Sequence, residues 1–305
     1  MPLQSLPYIF ILGSLYGTTL IASRFGISQF SPLTYVMLRL VLASLGIILI
    51  LLIPNNGRKW PTDKSLKKHA TLLGIFGTAI PMTLIVIALQ YQSSGISAII
   101  ITLGPVIAVV VAHFFLDDEQ ITRNKTFGIG IALTGAILLV ALGESGLPDI
   151  KQVNPLGYLL TFLAIFSGNS MMVYARKHMT SFDSFQVGSI RIIVAALVLI
   201  PVSLFMDGFD LSGVHTQGYF ALGWAALSGT LLGQLFEFVI VKRFGATATA
   251  MTSYIIPIVA AIGGWLLLGE IITSGILLSM IIIIVGIAIL NQPDFKVNRA
   301  EKAIK

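Results

Sequence analysis

Gly95–Glu119, GISAIIITLGPVIAVVVAHFFLDDE, decides how this chain is read, because the chain contains it twice. It returns as Gly245–Glu270, GATATAMTSYIIPIVAAIGGWLLLGE. Each copy opens on glycine, carries a proline within a long apolar run and closes on glutamate. Pro105 and Pro257 stand 152 residues apart, and Glu119 and Glu270 stand 151 apart. A proline inside a helix in water costs about 3 kcal/mol. A membrane bundle tolerates it, because neighbouring helices, hydroxyl side chains or water satisfy the freed carbonyl. Two interrupted helices at matching places in two halves point to a binding site between the halves.

Working outward, the rest of the chain is of the same kind. It has 305 residues, 56% hydrophobic and 10% charged, with a mean hydropathy of +0.93. A soluble domain carries about 25% charged residues, so lipid is the expected solvent for most of this surface. Ten runs are long enough to be read as spans, at about 8–28, 33–53, 71–90, 95–116, 126–142, 156–176, 184–206, 218–241, 246–268 and 271–290. The longest polar stretch is Pro54–Ala70, read as a loop. With the N-terminus placed in the cytoplasm, fifteen of the nineteen Lys and Arg fall in cytoplasmic loops and the tail. Only Arg24 and Lys151 fall outside, while Arg39 and Arg191 lie within spans. The positive-inside rule then puts both termini in the cytoplasm. The apolar run from Tyr8 has no basic segment before it and no small-residue cleavage site, so it reads as a retained helix.

The duplication extends beyond the opening stretch. Arg39-Leu-Val-Leu-Ala43 is echoed by Arg191-Ile-Ile-Val-Ala195, and Gly77 by Gly229, at the same offset of 152; Gly17 matches Gly168 and Gly135 matches Gly286 at 151. Five spans per half is an odd number, so the second half enters the bilayer from the opposite side. The expected fold is all-α and integral to the membrane: ten transmembrane helices in two inverted five-helix repeats around a central cavity. The first repeat is residues 1–147, the second 148–292, and 293–305 form a cytoplasmic tail. Inverted repeats give a direct route to alternating access.

This series, RLVLA, then the apolar run to LGP and a terminal Glu, with its RIIVA, IIP and LLLGE echo, resembles the drug/metabolite transporter superfamily. Within it, the chain is similar to the ten-helix exporters built from two EamA domains. The resemblance covers about residues 8–290. It implies a helical bundle around a cavity in a bacterial or archaeal plasma (inner) membrane, exporting amino acids and related small metabolites. One departure is Asp117-Asp118-Glu119, where the second half has Leu-Gly-Glu.

Polar residues within spans are the candidates for a site, since each must find a partner or face water. Tyr16, Thr19 and Ser23 share a helical face, and their second-half counterparts are Ser167, Asn169, Ser170 and Tyr174. Thr230, Gln234 and Glu237 form another stripe. Thr102 aligns with Tyr254, next to Thr252 and Ser253, and the third span offers Thr78, Pro81, Thr83 and Gln90. The substrate-binding set is thus Tyr16, Thr19, Thr78, Thr102, Pro105, Asn169, Ser170, Tyr174, Gln234, Tyr254 and Pro257. The competing account is close helix packing through small and hydroxylated residues. Glu237, Arg39 and Arg191 are the coupling or gating candidates, with an Arg191–Glu237 ion pair as the favoured structural account. Snorkelling or pairing within the bundle is the simpler reading of the two arginines. Glu119 and Glu270 read as helix-end carboxylates in water.

Other classes fit less well. The basic residues sit between apolar runs rather than in a patch, which argues against nucleic acid. Absence of cysteine removes disulfides and thiolate chemistry, and four scattered histidines supply no metal ligand set. Asp117-Asp118-Glu119 invites an enzyme reading, since membrane prenyltransferases hold magnesium diphosphate on Asp-rich motifs. It occurs once, without a second such loop. No P-loop is present, so ATP is not the expected driver. The expectation is therefore a secondary transporter without catalytic residues or cofactor. Its partners are a small-molecule substrate, the lipid bilayer and a candidate proton, with no protein partner required. A multidrug or cationic-compound proton antiporter and an uncoupled facilitator are the alternatives.

Overall fold

The computed structural model describes residues 3–53, 58, 60–117, 119–148, 153–244 and 251–292. Asp118, Lys151, the 245–250 start of the second copy and the charged tail from residue 293 lie outside the described residues. Regular structure within them is entirely helical. The helices are α1 (Leu6–Gly26), α2 (Pro32–Leu52), α3 (Lys64–Ala88), α4 (Ser94–Phe115), α5 (Arg123–Ala141), α6 (Leu156–His178) and α7 (Ser184–Met206). Then come α8, running from Thr216–Trp224 through Ala225–Leu232 into Gly233–Phe244, α9 (Thr252–Leu268) and α10 (Ser274–Leu290). Eight, α1 to α8, contain a stretch long and apolar enough to cross a membrane, while α9 and α10 are shorter apolar helices.

Starts are set by local chemistry. Asp63, Ser93, Thr122, Asp183 and Thr273 each place a side-chain oxygen on a backbone N–H of the first turn, satisfying a donor that the helix leaves orphaned. The Asp63 cap corrects the sequence reading of Pro54–Ala70 as loop: α3 begins at Lys64, well before its apolar run. Its polar first turns, KSLKKH, carry no hydropathy signal.

The two prolines behave differently. Helix α4 is interrupted at Thr102-Leu103, and Pro105 opens its second piece, Gly104–Phe115, where a missing N–H is no loss. Helix α9 runs unbroken through buried Pro257, against the expectation of two broken helices. Pro257 itself has no N–H to offer the carbonyl of Ser253, one turn before it.

Packing pairs the helices across the chain. Helix α1 packs on α9 and α8, and α6 packs on α4 and α3; α2 lies against α7 and α8, and α7 against α2 and α3. Helices α5 and α10 meet at backbone distance, where a Cβ on Gly286 would run into the main chain of Ala132 and Gly128. The outer surface is apolar: Phe205 is 90% exposed and Phe220 75%. Such large apolar area needs lipid to cover it.

Two segments depart from α geometry at matching places. Ile75–Ala79 in α3 and Ala225–Leu232 in α8 are π-helical. They contain Gly77-Thr78 and Gly229-Thr230, which are 152 residues apart. π-turns inside helices mark functional places more often than chance would put them there.

Candidate functional site

A cavity of about 510 Å³ opens between two walls. One wall is a face of α4, Pro105, Ala108, Val109, Ala112 and Leu116, together with a face of α6, Asn169, Met172, Val173 and Arg176. Both sets follow helical spacing, at i, i+3, i+4 and i+7, with Leu116, the residue after α4, one turn further on. Opposite lie Glu237 of α8, Thr252 and Ser253 of α9, and Leu290 and Asn291 at the end of α10. Glu119 and Arg176 mark the end of the bundle at which the cavity emerges.

Glu237 is the carboxylate within a helix of this wall. Its Oε2 accepts a 2.7 Å hydrogen bond from the Tyr16 hydroxyl of α1. The expected Arg191–Glu237 ion pair is not formed: among the described residues the salt bridges are Lys125–Glu119 and Arg176–Glu119. Arg191 has another partner. Its Nε donates to Thr78 Oγ1, while Arg39 Nε donates to Thr230 Oγ1 at 2.8 Å and Arg39 Nη1 to Ser23 Oγ at 3.3 Å. Each threonine hydroxyl in turn donates five residues back, Thr78 to Leu73 O at 3.5 Å and Thr230 to Ala225 O at 3.3 Å. Both arginines are therefore held inside the bundle by cross-half bonds to π-turn threonines, rather than snorkelling.

The two helix-end glutamates sit in opposite surroundings. Glu119, beside the cavity mouth, takes Arg176 Nη1 at 2.5 Å and Lys125 Nζ at 3.2 Å. The Arg176 hydrogen bond holds its carboxyl below the usual carboxylate range. Glu270, read from sequence as a carboxylate in water, is 3% exposed. It caps the start of α4: Oε1 accepts from Ser94 N at 2.8 Å, and Oε2 from Ser94 Oγ at 2.8 Å. Burial pushes its carboxyl up. Gly264 makes this possible, because a Cβ there would overlap the carboxylate.

The remaining sequence candidates are dispersed. Pro105 and Asn169 line the cavity with Glu237, and Tyr16 reaches it through Glu237. Thr19 bonds Leu15 O within its own helix and fills the space beside Gly229. Thr78 holds Arg191, and Thr102 bonds Ile99 O at the break in α4. Tyr174 bonds His69 Nδ1 at 2.6 Å, and Tyr254 accepts from Asn291 Nδ2 at 3.0 Å, one residue behind the wall. Ser170 is half-buried, and its buried Oγ has no hydrogen-bond partner. Gln234 packs by Ile47 and Phe185 away from the cavity, and Pro257 is buried in α9. Apart from Pro105, sequence reasoning missed the apolar wall, together with Asn291 and Arg176.

A lipid-facing helical bundle holding a polar-floored cavity open at one end is the build of a multi-pass membrane transporter. The chain belongs to the EamA-like transporter family, whose pattern matches it twice, over residues 4–141 and 155–292. It is similar to the "Uncharacterized transporter YoaV" of Bacillus subtilis, 25% identical over 277 residues, 90% of this chain and 91% of that protein. YyaM of the same organism, also named an uncharacterized transporter, is 28% identical over 265 residues, 84% of each chain. The "Uncharacterized inner membrane transporter YedA" of Escherichia coli K12 is 25% identical over 288 residues, 89% of each. A solved crystal structure shares the fold with a TM-score of 0.64 at 15% identity, covering 92% of this chain and 94% of its own.

Proposed function

We propose that this protein is a secondary transporter of the inner membrane that exports small amine-bearing metabolites, amino acids foremost, by alternating access. The observation that carries this reading is the cavity itself. It places a single helix-borne carboxylate, Glu237, in a largely apolar wall, held by a phenol rather than by an arginine. A substrate ammonium pairs with Glu237, Asn169 and Asn291 offer amides to a carboxylate, and the α4 and α6 faces accept an apolar side chain. Because proton and ammonium compete for one carboxylate, the site suits proton-coupled exchange. The same Glu237 geometry favours a second reading, a cationic-compound antiporter, over an uncoupled facilitator. The direction of transport, outward, rests on the family resemblance.

Ten spans in two inverted repeats, residues 1–147 and 148–292, are part of this reading. The packing supports it: exchanging the halves turns α1 on α9 into α6 on α4, and α2 on α8 into α7 on α3. The crossed Arg39–Thr230 and Arg191–Thr78 bonds exchange in the same way. With the basic loops in the cytoplasm, the cavity opens inward and the Glu270 end is the closed, outer one.

Purified protein in liposomes tests the function. Saturable flux of one or more amino acids or organic cations is expected, with a rate that responds to a pH gradient. Flux indistinguishable from protein-free liposomes across both panels would refute the proposal.

A further inference from the structure

Two pairs of one glutamate and one arginine stand at equivalent places at opposite ends of the bundle. Glu119 and Glu270 close the duplicated stretch, and Arg24 and Arg176 close α1 and α6 at an offset of 152. On the open side, Glu119 is ion-paired with Arg176 at 2.5 Å. On the closed side, Glu270 has turned inward to cap α4 through Ser94. Arg24, the counterpart of Arg176, is left with its buried Nε lacking a hydrogen-bond partner. It lies within electrostatic reach of Glu270, but the salt bridges among the described residues do not include it.

We propose that Glu270 is the outer gating carboxylate and Arg24 its open-state partner. Opening the outer end moves Glu270 from the α4 cap to Arg24, reproducing the Glu119–Arg176 pair on the other side. This rests on the alternating-access reading above, in which each half adopts the arrangement of the other. Three features of the site agree with it. The cap is a contact between halves, since Ser94 belongs to the first and Glu270 to the second, so outward opening must break it. A buried carboxylate that gives up two hydrogen bonds needs a compensating charge, and Arg24 is the cation in reach whose Nε has no bond to lose. The walls of the open cavity also have closed counterparts: Met172 lines the cavity and is 54% exposed, whereas Leu20, 152 residues earlier, packs in the α1–α9 contact.

The chain has no cysteine, so single cysteines report each side. Met172→Cys is expected to react with a membrane-impermeant maleimide from the cytoplasmic side. Leu20→Cys is expected to react from the outside, in the fraction of molecules that face out. Arg24→Gln removes the open-state partner and should slow Leu20→Cys labelling several-fold. Arg176→Gln should accelerate it by weakening the inward-open pair. Gly264→Ala, which crowds the capped carboxylate, should also accelerate it without touching either arginine. A normal elution profile and melting temperature in detergent identify variants that have folded. The switch is overturned if the folded arginine variants shift Leu20→Cys labelling in the same direction, or not at all, while the parent labels at both positions. If the parent never labels at Leu20→Cys although Met172→Cys reacts, alternating access itself is refuted and the switch with it.

Discussion

Glu237→Gln is expected to reduce gradient-driven transport to the rate seen without a gradient, while exchange of substrate across the membrane persists. The substitution keeps shape and the ability to accept from Tyr16, and it removes the charge. Glu237 lines the cavity and its recorded bond is to a neutral phenol. Loss of the charge breaks no salt bridge among the described residues, but Arg191 lies within its electrostatic reach, so a modest loss of stability is expected beside the loss of coupling. What disappears is the group on which a proton and a substrate ammonium compete. The symmetric position in the first half is Ile85, so no second carboxylate can take over. Proportional loss of gradient-driven flux and folded protein, with the coupling ratio unchanged, would instead assign Glu237 a structural role. The comparison is made on reconstituted protein, normalised to the amount that elutes as monodisperse.

Thr230→Val and Thr78→Val are expected to destabilise the bundle, each by about 1.5–3 kcal/mol, the range for a hydrogen bond to a charged group. Valine fills the same space but cannot accept from the guanidinium, so a buried arginine loses a partner. Arg39 keeps its bond to Ser23. The position equivalent to Ser23 in the second half is Ala175, so Arg191 lacks that second hydrogen bond and has instead Glu237 within electrostatic reach. Serine at either position should restore most of the loss. Equal stability of valine and serine variants in thermal or denaturant unfolding would remove the crossed bonds from the account. Both bonds are present in a structure that is open at one end only. They therefore suit pivots that persist through the cycle better than gates that alternate.

Much of the architecture is written in hydropathy, and the helices fall close to the runs read from sequence. The start of α3 escaped because its first turns are polar and lie outside the apolar run; the signal present was Asp63, a capping residue three positions before Leu66. The cavity wall escaped for a different reason. A valine facing a cavity, such as Val109 or Val173, and a valine facing lipid have the same hydropathy and the same helical spacing. Tyr16 and Glu237 are 221 residues apart, and no local pattern announces their contact. Helix-end position suggested water for Glu270, yet Gly264 opens a slot on α9 that takes its carboxylate. That slot becomes visible only once α9 is folded against α4. The π-turns leave no compositional trace; their register with the arginines is the one hint, since Arg39, Arg191, Thr78 and Thr230 keep a common offset.

The most direct test of the inverted, membrane-spanning arrangement is the sidedness of two engineered cysteines. Lys64→Cys reports the end where the cavity opens. Pro148→Cys reports the Glu270 end; it is exposed, unlike nearby Gly146, whose φ of +67° and contact with Ser93 forbid a side chain. In right-side-out vesicles an impermeant reagent should modify Pro148→Cys and spare Lys64→Cys until the membrane is permeabilised, with the reverse pattern in inverted vesicles. Modification of both from the same side would contradict the account.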